Sequence, residues 1–174
     1  LNNLIALSSR GVLGYNSDID NNLNFKQIKN NIDSFISIEQ FKKGLWFSIK
    51  DLKVHNNMIF ISYTEEVKKD CWNTSVIFSK LNYQNIDFKK LFSSNECIHS
   101  ENNIDLEFSA HRSGGRIIAI DNQNILLSIG EYKSRYLSQD QTSVNGKIIK
   151  INIKNYQYEI VSMGHRNPQG LYYD

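Results

Sequence analysis

Short runs of apolar and β-branched residues, separated by polar turns, make up most of the chain. The clearest example is RIIAIDNQNILLSIG, in which residues 116–120 and 125–129 flank the polar connector 121–124. A polar connector of that length suits a β-hairpin. A third strand is predicted at residues 147–153 and a fourth at residues 158–163. The pattern therefore predicts consecutive antiparallel strands in the second half of the chain.

The first half of the chain shows the same alternation of strand and turn, with one exception. Earlier strands are predicted at residues 4–7, 12–15, 58–64 and 75–81. Helical spacing occurs at residues 24–41, where one face would carry Phe25, Ile28, Ile32, Phe35 and Ile36. We expect a short helix there. Many short strands with little helix predict an all-β domain, either a sandwich, a barrel or the blades of a propeller.

Composition narrows the classes of function. The chain has 174 residues, of which 40% are hydrophobic, enough for one globular domain with a core. Its 20 basic and 18 acidic side chains are spread along the sequence, which argues against a nucleic-acid partner. No apolar run reaches the roughly 18 residues that a membrane span needs. The sequence begins at Leu1, and we expect that an upstream segment, such as a signal peptide, precedes it.

The two cysteines, Cys71 and Cys97, leave two interpretations open. They could form a disulfide in an oxidising compartment, or they could be buried free thiols. Their spacing does not suggest a metal site.

One histidine stands where a catalytic group could be held. His111 precedes the glycine-containing turn 112–116, which leads into the first strand of the hairpin, and Glu131 follows the second strand. An antiparallel hairpin would make these ends neighbours, and a carboxylate beside an imidazole favours a general base. The alternative is a turn-stabilising histidine and a surface glutamate. His55 and His99 are expected to be turn or surface residues.

The stretch GHRNPQGLYYD, residues 164–174, contains the single proline of the chain. Pro168 fixes its own φ and biases Asn167 toward an extended conformation. A stiff turn of this kind can aim Arg166, Asn167 and Gln169 at a planar, anionic ligand.

Together these motifs resemble a known family, the soluble pyrroloquinoline quinone (PQQ)-dependent sugar dehydrogenases, also called the glucose/sorbosone dehydrogenase family. The elements that carry the resemblance, in the family's order, are residues 111–116, residues 128–131, the segment 139–151 with Gly146-Lys147, and GHRNPQGL at residues 164–171. The resemblance is strong over residues 110–174 and weaker through Gly44-Leu45 and residues 61–64.

The resemblance implies a six-bladed β-propeller that binds PQQ and calcium at the mouth of its central channel and oxidises the C1 hydroxyl of aldose sugars. His111 would then be the base that takes the hydroxyl proton while hydride passes to C5 of the quinone. Glu131 would orient this base. Arg166 and Asn167 would contact the quinone and stabilise negative charge on its oxygen, and Gln169 would be a further cofactor contact.

Some positions depart from the family pattern. Arg116 lies five positions after His111, where the family has four, which indicates a one-residue insertion. Glu131 stands where the family commonly has aspartate, and Lys42-Lys43 stand where it often has a cofactor-side glutamine. These departures favour an alternative, a noncatalytic propeller that serves as a binding module.

Length suggests that the chain is part of a larger ring. Blades of about 40 residues require roughly 240 residues for six, so we expect residues 1–174 to be one incomplete propeller domain of about three to four blades that continues beyond Asp174. The calcium ligands and the basic residues for the PQQ carboxylates would lie beyond Asp174, and we expect this chain alone to be inactive. Its uncovered sheet face and blade edge favour association.

The family resemblance also bears on location and partners. It implies a periplasmic or secreted protein that acts on a small sugar. The particular sugar, the electron acceptor and a homodimeric state stay open.

Overall fold

The structure is a computed structural model that describes residues 3–44 and 48–174. Most of its regular structure is β-strand. The strands are β1 (Leu4–Leu7), β2 (Leu13–Asn16), β3 (Lys26–Asn30), β4 (Ile49–His55), β5 (Met58–Lys68), β6 (Cys71–Lys80), β7 (Asn85–Ile86), β8 (Lys89–Phe92), β9 (Ile98–His99), β10 (Gly114–Ala119), β11 (Asn124–Ile129), β12 (Lys147–Asn152) and β13 (Tyr158–Met163). One α-helix, α1 (Ile38–Lys43), and 3-10 helices at Ile32–Ser34, Ala110–Arg112 and Arg135–Ser138 complete the described elements.

The strands form three sheets, each built mainly from strands that follow one another in sequence. The sheet orders are β1-β2-β3-β7, β4-β5-β6-β8 and β10-β11-β12-β13, with β9 added to β6. Neighbouring strands are antiparallel, except that β7 pairs with β3 in parallel. The first strand of the third sheet, β10, packs against β4, the first strand of the second sheet. This is the arrangement of propeller blades, and it confirms the predicted all-β fold as part of a β-propeller.

The central sheet is buried on both faces, which explains its long apolar run. Side chains along a strand alternate between faces. On β5, Ile59 and Ile61 join the core shared with the first sheet, through contacts that include Leu13 and Ile28. Phe60, between them, joins the core shared with the third sheet. Burial on both sides fixes the relative positions of the sheets and therefore of β4 and β10.

Most predicted strands are confirmed within a few residues. The predicted hairpin corresponds to β10 and β11, in which Ile117 lies opposite Leu127. The predicted strand at 158–163 matches β13, and the predicted strand at 147–153 ends one residue earlier as β12. The prediction at 58–64 was too short, because β5 continues to Lys68 opposite β6.

The helix predicted at residues 24–41 is wrong over most of its length. Lys26–Asn30 is instead strand β3, which places Ile28 opposite Leu13. The β-branched and asparagine residues of this segment have low helix propensity, and pairing with β2 buries Ile28 completely. Within this segment an α-helix forms only at Ile38–Lys43, where the Ser37 side chain accepts a hydrogen bond from the Gln40 amide.

The open question about the cysteines is settled by a disulfide between Cys71 and Cys97. The bond ties the start of β6 to the segment before β9. Beside it, Trp72, Ile98 and Tyr132 form a small core cluster. None of the helices in the described residues is long and apolar enough to cross a membrane.

Candidate functional site

A polar cavity of about 540 Å³ lies where segments from all three sheets meet. Its lining comes from the residues after β1, the start of β4, the turn into β10 and the turn after β13. The lining residues are Ser9, Ser48, Ile49, Lys50, His111, Ser113, Gly114, Arg116 and Gln169. Two residues predicted from the sequence, His111 and Gln169, thus lie at one cavity. The Gln169 side-chain amide donates to the backbone carbonyl of His111 at 3.5 Å.

Glu131 lies deeper and is only 1% exposed. Its Oε1 lies 3.2 Å from Nη1 of Arg112 and 3.6 Å from Nε of Arg166. Its Oε2 accepts a hydrogen bond from the Ser138 hydroxyl at 3.2 Å. A buried carboxylate needs such partners, because desolvation of an unpaired charge is costly. The site therefore contains a carboxylate shared between two arginines.

The hairpin brings the end of β11 to the turn before β10, as expected, but Arg112 occupies the Glu131 carboxylate. Residues 110–112 form a 3-10 helix, in which successive side chains point about 120° apart. His111 consequently points toward the cavity while its neighbour Arg112 reaches Glu131. The prediction that Glu131 orients His111 is therefore treated below as a proposal.

Close backbone packing holds these two segments together. A Cβ on Gly130 would lie 1.9 Å from the carbonyl oxygen of Arg112, so a side chain does not fit there. The Gly130 amide donates to the Ser113 carbonyl at 2.9 Å, and the Tyr132 amide donates to the Arg112 carbonyl at 3.0 Å. Tyr132 follows Glu131 directly and has a positive φ of 52°. Its hydroxyl hydrogen-bonds Thr74 in the core, and burial raises the pKa of Tyr132.

The proline turn is hydrogen-bonded to the start of β10 and the end of β11, so its backbone is held in place. Arg166 is anchored through its backbone, while its side chain is 64% exposed. The hydrogen bonds run from the Glu131 amide to the Arg166 carbonyl (3.0 Å), from the Gly114 amide to Asn167 Oδ1 (3.3 Å), from Ser128 Oγ to the Pro168 carbonyl (2.8 Å) and from Arg116 Nε to the Gln169 carbonyl (2.6 Å). The turn thus presents Arg166 and Gln169 on a fixed backbone beside the cavity.

Comparison with known proteins decides the family. The family model described as Glucose / Sorbosone dehydrogenase matches residues 47–174. The chain belongs to the glucose/sorbosone dehydrogenase family. This confirms the resemblance seen in the sequence, and the match covers the whole of the second and third sheets. A search of curated proteins finds no match.

Solved structures similar to this family member share its fold at low sequence identity. A glucose dehydrogenase is 13% identical with a TM-score of 0.64, covering 94% of this chain and 52% of that one. The putative oxidoreductase (glucose dehydrogenase) of Thermus thermophilus is 17% identical with a TM-score of 0.63, covering 97% and 50%. The PQQ-bound aldose sugar dehydrogenase of Streptomyces coelicolor is 12% identical with a TM-score of 0.61, covering 86% and 41%. The chain spans about half the length of these structures.

Two lysines of this glucose/sorbosone dehydrogenase family member shape the site, and the sequence pattern did not identify either role. Lys147 is fully buried, and burial lowers its pKa. Its ammonium donates to the carbonyls of Leu137, Ser138 and Asn145 at 2.7, 3.0 and 2.9 Å. It thereby holds the 3-10 helix from which Ser138 contacts Glu131. Only its place beside Gly146 in the family motif pointed to it.

The second lysine, Lys50, lines the cavity itself, and its Nζ donates to the Ala110 carbonyl at 3.3 Å. Burial lowers the pKa of Lys50 to about 8. The sequence analysis did not identify Lys50, because it belongs to none of the motifs and lies in a strand, β4, that the apolar pattern did not predict.

Among the residues that the structure describes, no cluster of three or more His, Cys, Asp or Glu side chains could hold a metal ion. The cavity lining instead carries two cationic side chains, Lys50 and Arg116, together with the Gln169 amide and three serines. Such a donor set suits an anionic organic ligand better than a cation.

Proposed function

We propose that this chain forms part of a PQQ-dependent dehydrogenase that oxidises the C1 hydroxyl of an aldose sugar, with calcium bound by segments outside this chain. The observation that carries the proposal is the meeting of His111 and Gln169 at one polar cavity, next to the anchored turn of Arg166 and Asn167. Family membership supplies the class of reaction.

The cavity suits a cofactor such as PQQ, a planar quinone that carries carboxylates. Its volume of about 540 Å³ falls within the range typical of small-molecule sites, about 300–1,000 Å³. Lys50 and Arg116 supply positive charge to the lining, and Gln169 supplies an amide. The exposed guanidinium of Arg166 would contact the quinone from the turn. When bound, PQQ supplies an electrophilic quinone that accepts a hydride.

His111 is our candidate for the general base. A neutral imidazole can accept a proton on a ring nitrogen, and His111 is exposed at the cavity rim where a sugar hydroxyl could approach. In this proposal His111 takes the C1 hydroxyl proton as the C1 hydride leaves. Arg166 and Asn167 would stabilise the negative charge that develops on the acceptor oxygen.

Glu131 would act as a positioning residue. It lies against Arg112 and Arg166, so it would fix the guanidinium of Arg166 directly. It would also help to orient His111 through Arg112, which is the next residue of the same 3-10 helix.

A second candidate is a noncatalytic binding module, and a specific observation favours it. The Glu131 carboxylate contacts Arg112, Arg166 and Ser138, whereas the family resemblance implied that it orients the base. A cationic cavity of this kind could bind an anionic ligand without turnover.

The test is sugar-dependent dye reduction by the protein at its full family length, supplied with PQQ and calcium, in wild-type and His111→Ala forms. A general base typically contributes about 10²–10⁴-fold, so we expect His111→Ala to lower kcat by at least about 100-fold while PQQ still binds. His99→Ala serves as the control, because the His99 side chain is exposed on strand β9. Wild-type turnover in His111→Ala contradicts the assigned base, and PQQ binding without any turnover in the wild type favours the binding module.

We further propose a periplasmic or secreted location. The Cys71–Cys97 disulfide supports it, since such bonds persist mainly in oxidising compartments. Cell fractionation with detection of the native protein tests this, and recovery of the protein in the cytoplasm with both thiols reduced would contradict it.

A further inference from the structure

Lys50 reaches the cavity through a gap that a glycine leaves open. A Cβ on Gly115 would lie 2.4 Å from Cβ and 2.9 Å from Cγ of Lys50. Gly115 also has a φ of +101°, which L-residues with side chains rarely adopt. The aliphatic part of Lys50 on β4 therefore occupies space that a side chain at position 115 on β10 would need.

The head group of Lys50 is held beside the candidate base. Its Nζ donates to the carbonyl of Ala110, which is 1% exposed and directly precedes His111. This contact fixes the ammonium at the inner wall of the cavity, on the backbone that carries His111. An ammonium has three donors, so it can hold this carbonyl and also donate to a ligand oxygen.

We propose that Lys50 binds a carboxylate of the anionic ligand that occupies this cavity. The inference rests on the proposed function, and it assigns a ligand contact within this chain, whereas the family resemblance placed the carboxylate contacts beyond Asp174. Lys50 and Arg116 both line the cavity, so two cationic side chains face an incoming anion. Of the two, Lys50 is the one whose ammonium lies on the backbone that carries His111, 3.3 Å from the Ala110 carbonyl.

The surroundings of Lys50 predict how this binding depends on pH. Within the described residues, the elements packed against Lys50 carry these charged and titratable residues: Asp51, Lys53 and His55 on β4, Tyr63, Glu65, Glu66 and Lys68 on β5, Arg116 on β10, and His111 and Arg112 in the preceding 3-10 helix. The Asp51 carboxylate is held by Arg116 and by the Ile117 amide at 2.9 Å, and burial raises the pKa of Tyr63. Burial lowers the pKa of Lys50 to about 8. Anion affinity should therefore fall as pH rises through about 8, where the ammonium loses its proton.

The test measures PQQ affinity of the full-length protein by fluorescence quenching between pH 6.5 and 9.5. Lys50→Met keeps the stem beside Gly115 and removes the charge, whereas Lys50→Arg keeps a charge over the whole range. Lys53→Met, on the same strand but outside the cavity lining, is the matched control. Melting curves establish that each variant is folded.

We expect Lys50→Met to weaken PQQ binding by about ten-fold or more at pH 7 and to flatten its pH profile. Lys50→Arg should keep its affinity above pH 8, and Lys53→Met should match the wild type. If a variant does not fold, trace acetylation of the wild type followed by peptide mass spectrometry replaces it, with PQQ protecting Lys50 but not Lys53.

Wild-type affinity and pH profile in folded Lys50→Met, or unprotected Lys50 under saturating PQQ, would overturn the inference and leave the proposed function standing. A wild-type protein that does not bind PQQ would overturn both.

Discussion

The carboxylate of Glu131 bridges the guanidinium groups of Arg112 and Arg166, at 3.2 and 3.6 Å. These arginines belong to segments far apart in sequence, the turn before β10 and the turn after β13. Because Glu131 is 1% exposed, the pairing is shielded from solvent on the carboxylate side. The bridge therefore joins the turn before β10 to the turn after β13, the two segments that carry Arg112 and Arg166.

Glu131→Gln tests this bridge. The amide keeps the shape of the side chain but removes the charge that the two arginines share. We expect a loss of about 2 kcal/mol in the free energy of unfolding, measured by urea denaturation. Glu159→Gln is the control, since the exposed Lys150–Glu159 pair should contribute close to nothing. Equal stability of the two variants would show that the Glu131 bridge does not stabilise the fold.

Gly130→Ala tests the close approach of the residue after β11 to the turn before β10. The added Cβ would lie 1.9 Å from the Arg112 carbonyl oxygen, which is backbone and cannot swing aside. We expect destabilisation of about 3 kcal/mol or more, visible as a lower Tm. Gly170→Ala is the matched control, because nothing lies within 4 Å of its added Cβ. A Gly130→Ala protein that melts like the wild type would contradict the backbone geometry.

The Cys71–Cys97 disulfide should stabilise the chain. It closes a loop with a sequence separation of 26, for which the chain-entropy estimate is about 3.5 kcal/mol. Cys71→Ser/Cys97→Ser should lower the unfolding free energy by about that amount, and reduction of the wild type should lower it similarly. Mass spectrometry after thiol alkylation checks the pairing, and free thiols in the non-reduced native protein would refute it.

Lys50 should make stability depend on pH in the alkaline range. Burial lowers its pKa from 10.5 to about 8, so between these values the unfolded chain binds more protons than the folded one. Stability attributable to Lys50 therefore rises as pH increases from about 8 to 10.5. Burial of Lys147 acts in the same direction, so the relevant quantity is the difference between wild type and Lys50→Met. A difference that stays constant over this range would contradict the buried position of the Lys50 ammonium.

Much of the fold could be predicted because strand patterns are local. Short apolar runs and the polar connector between them located β10 and β11, and the two-sided burial of β5 appeared as a continuous apolar run. The segment 24–41 failed because helical spacing and strand pairing both bury Ile28, and only the partner strand β2 decides between them.

The site was predicted less completely because its contacts depend on the direction in which each side chain leaves the backbone, which the sequence pattern does not give. The hairpin argument correctly brought residues 111–116 to Glu131. It could not tell that a 3-10 helix would also turn Arg112 toward the carboxylate. The position of Lys50 at the cavity depends on its packing against Gly115, which belongs to a different sheet. The spacing of residues along the chain does not reveal such a contact.

The most direct test of the central claim is titration of the full-length apo-protein with PQQ and calcium, with dye reduction followed over a panel of aldose sugars. We predict sugar-dependent reduction that appears only when both additions are present. Folded protein that shows neither PQQ binding nor dye reduction under these conditions would contradict the account.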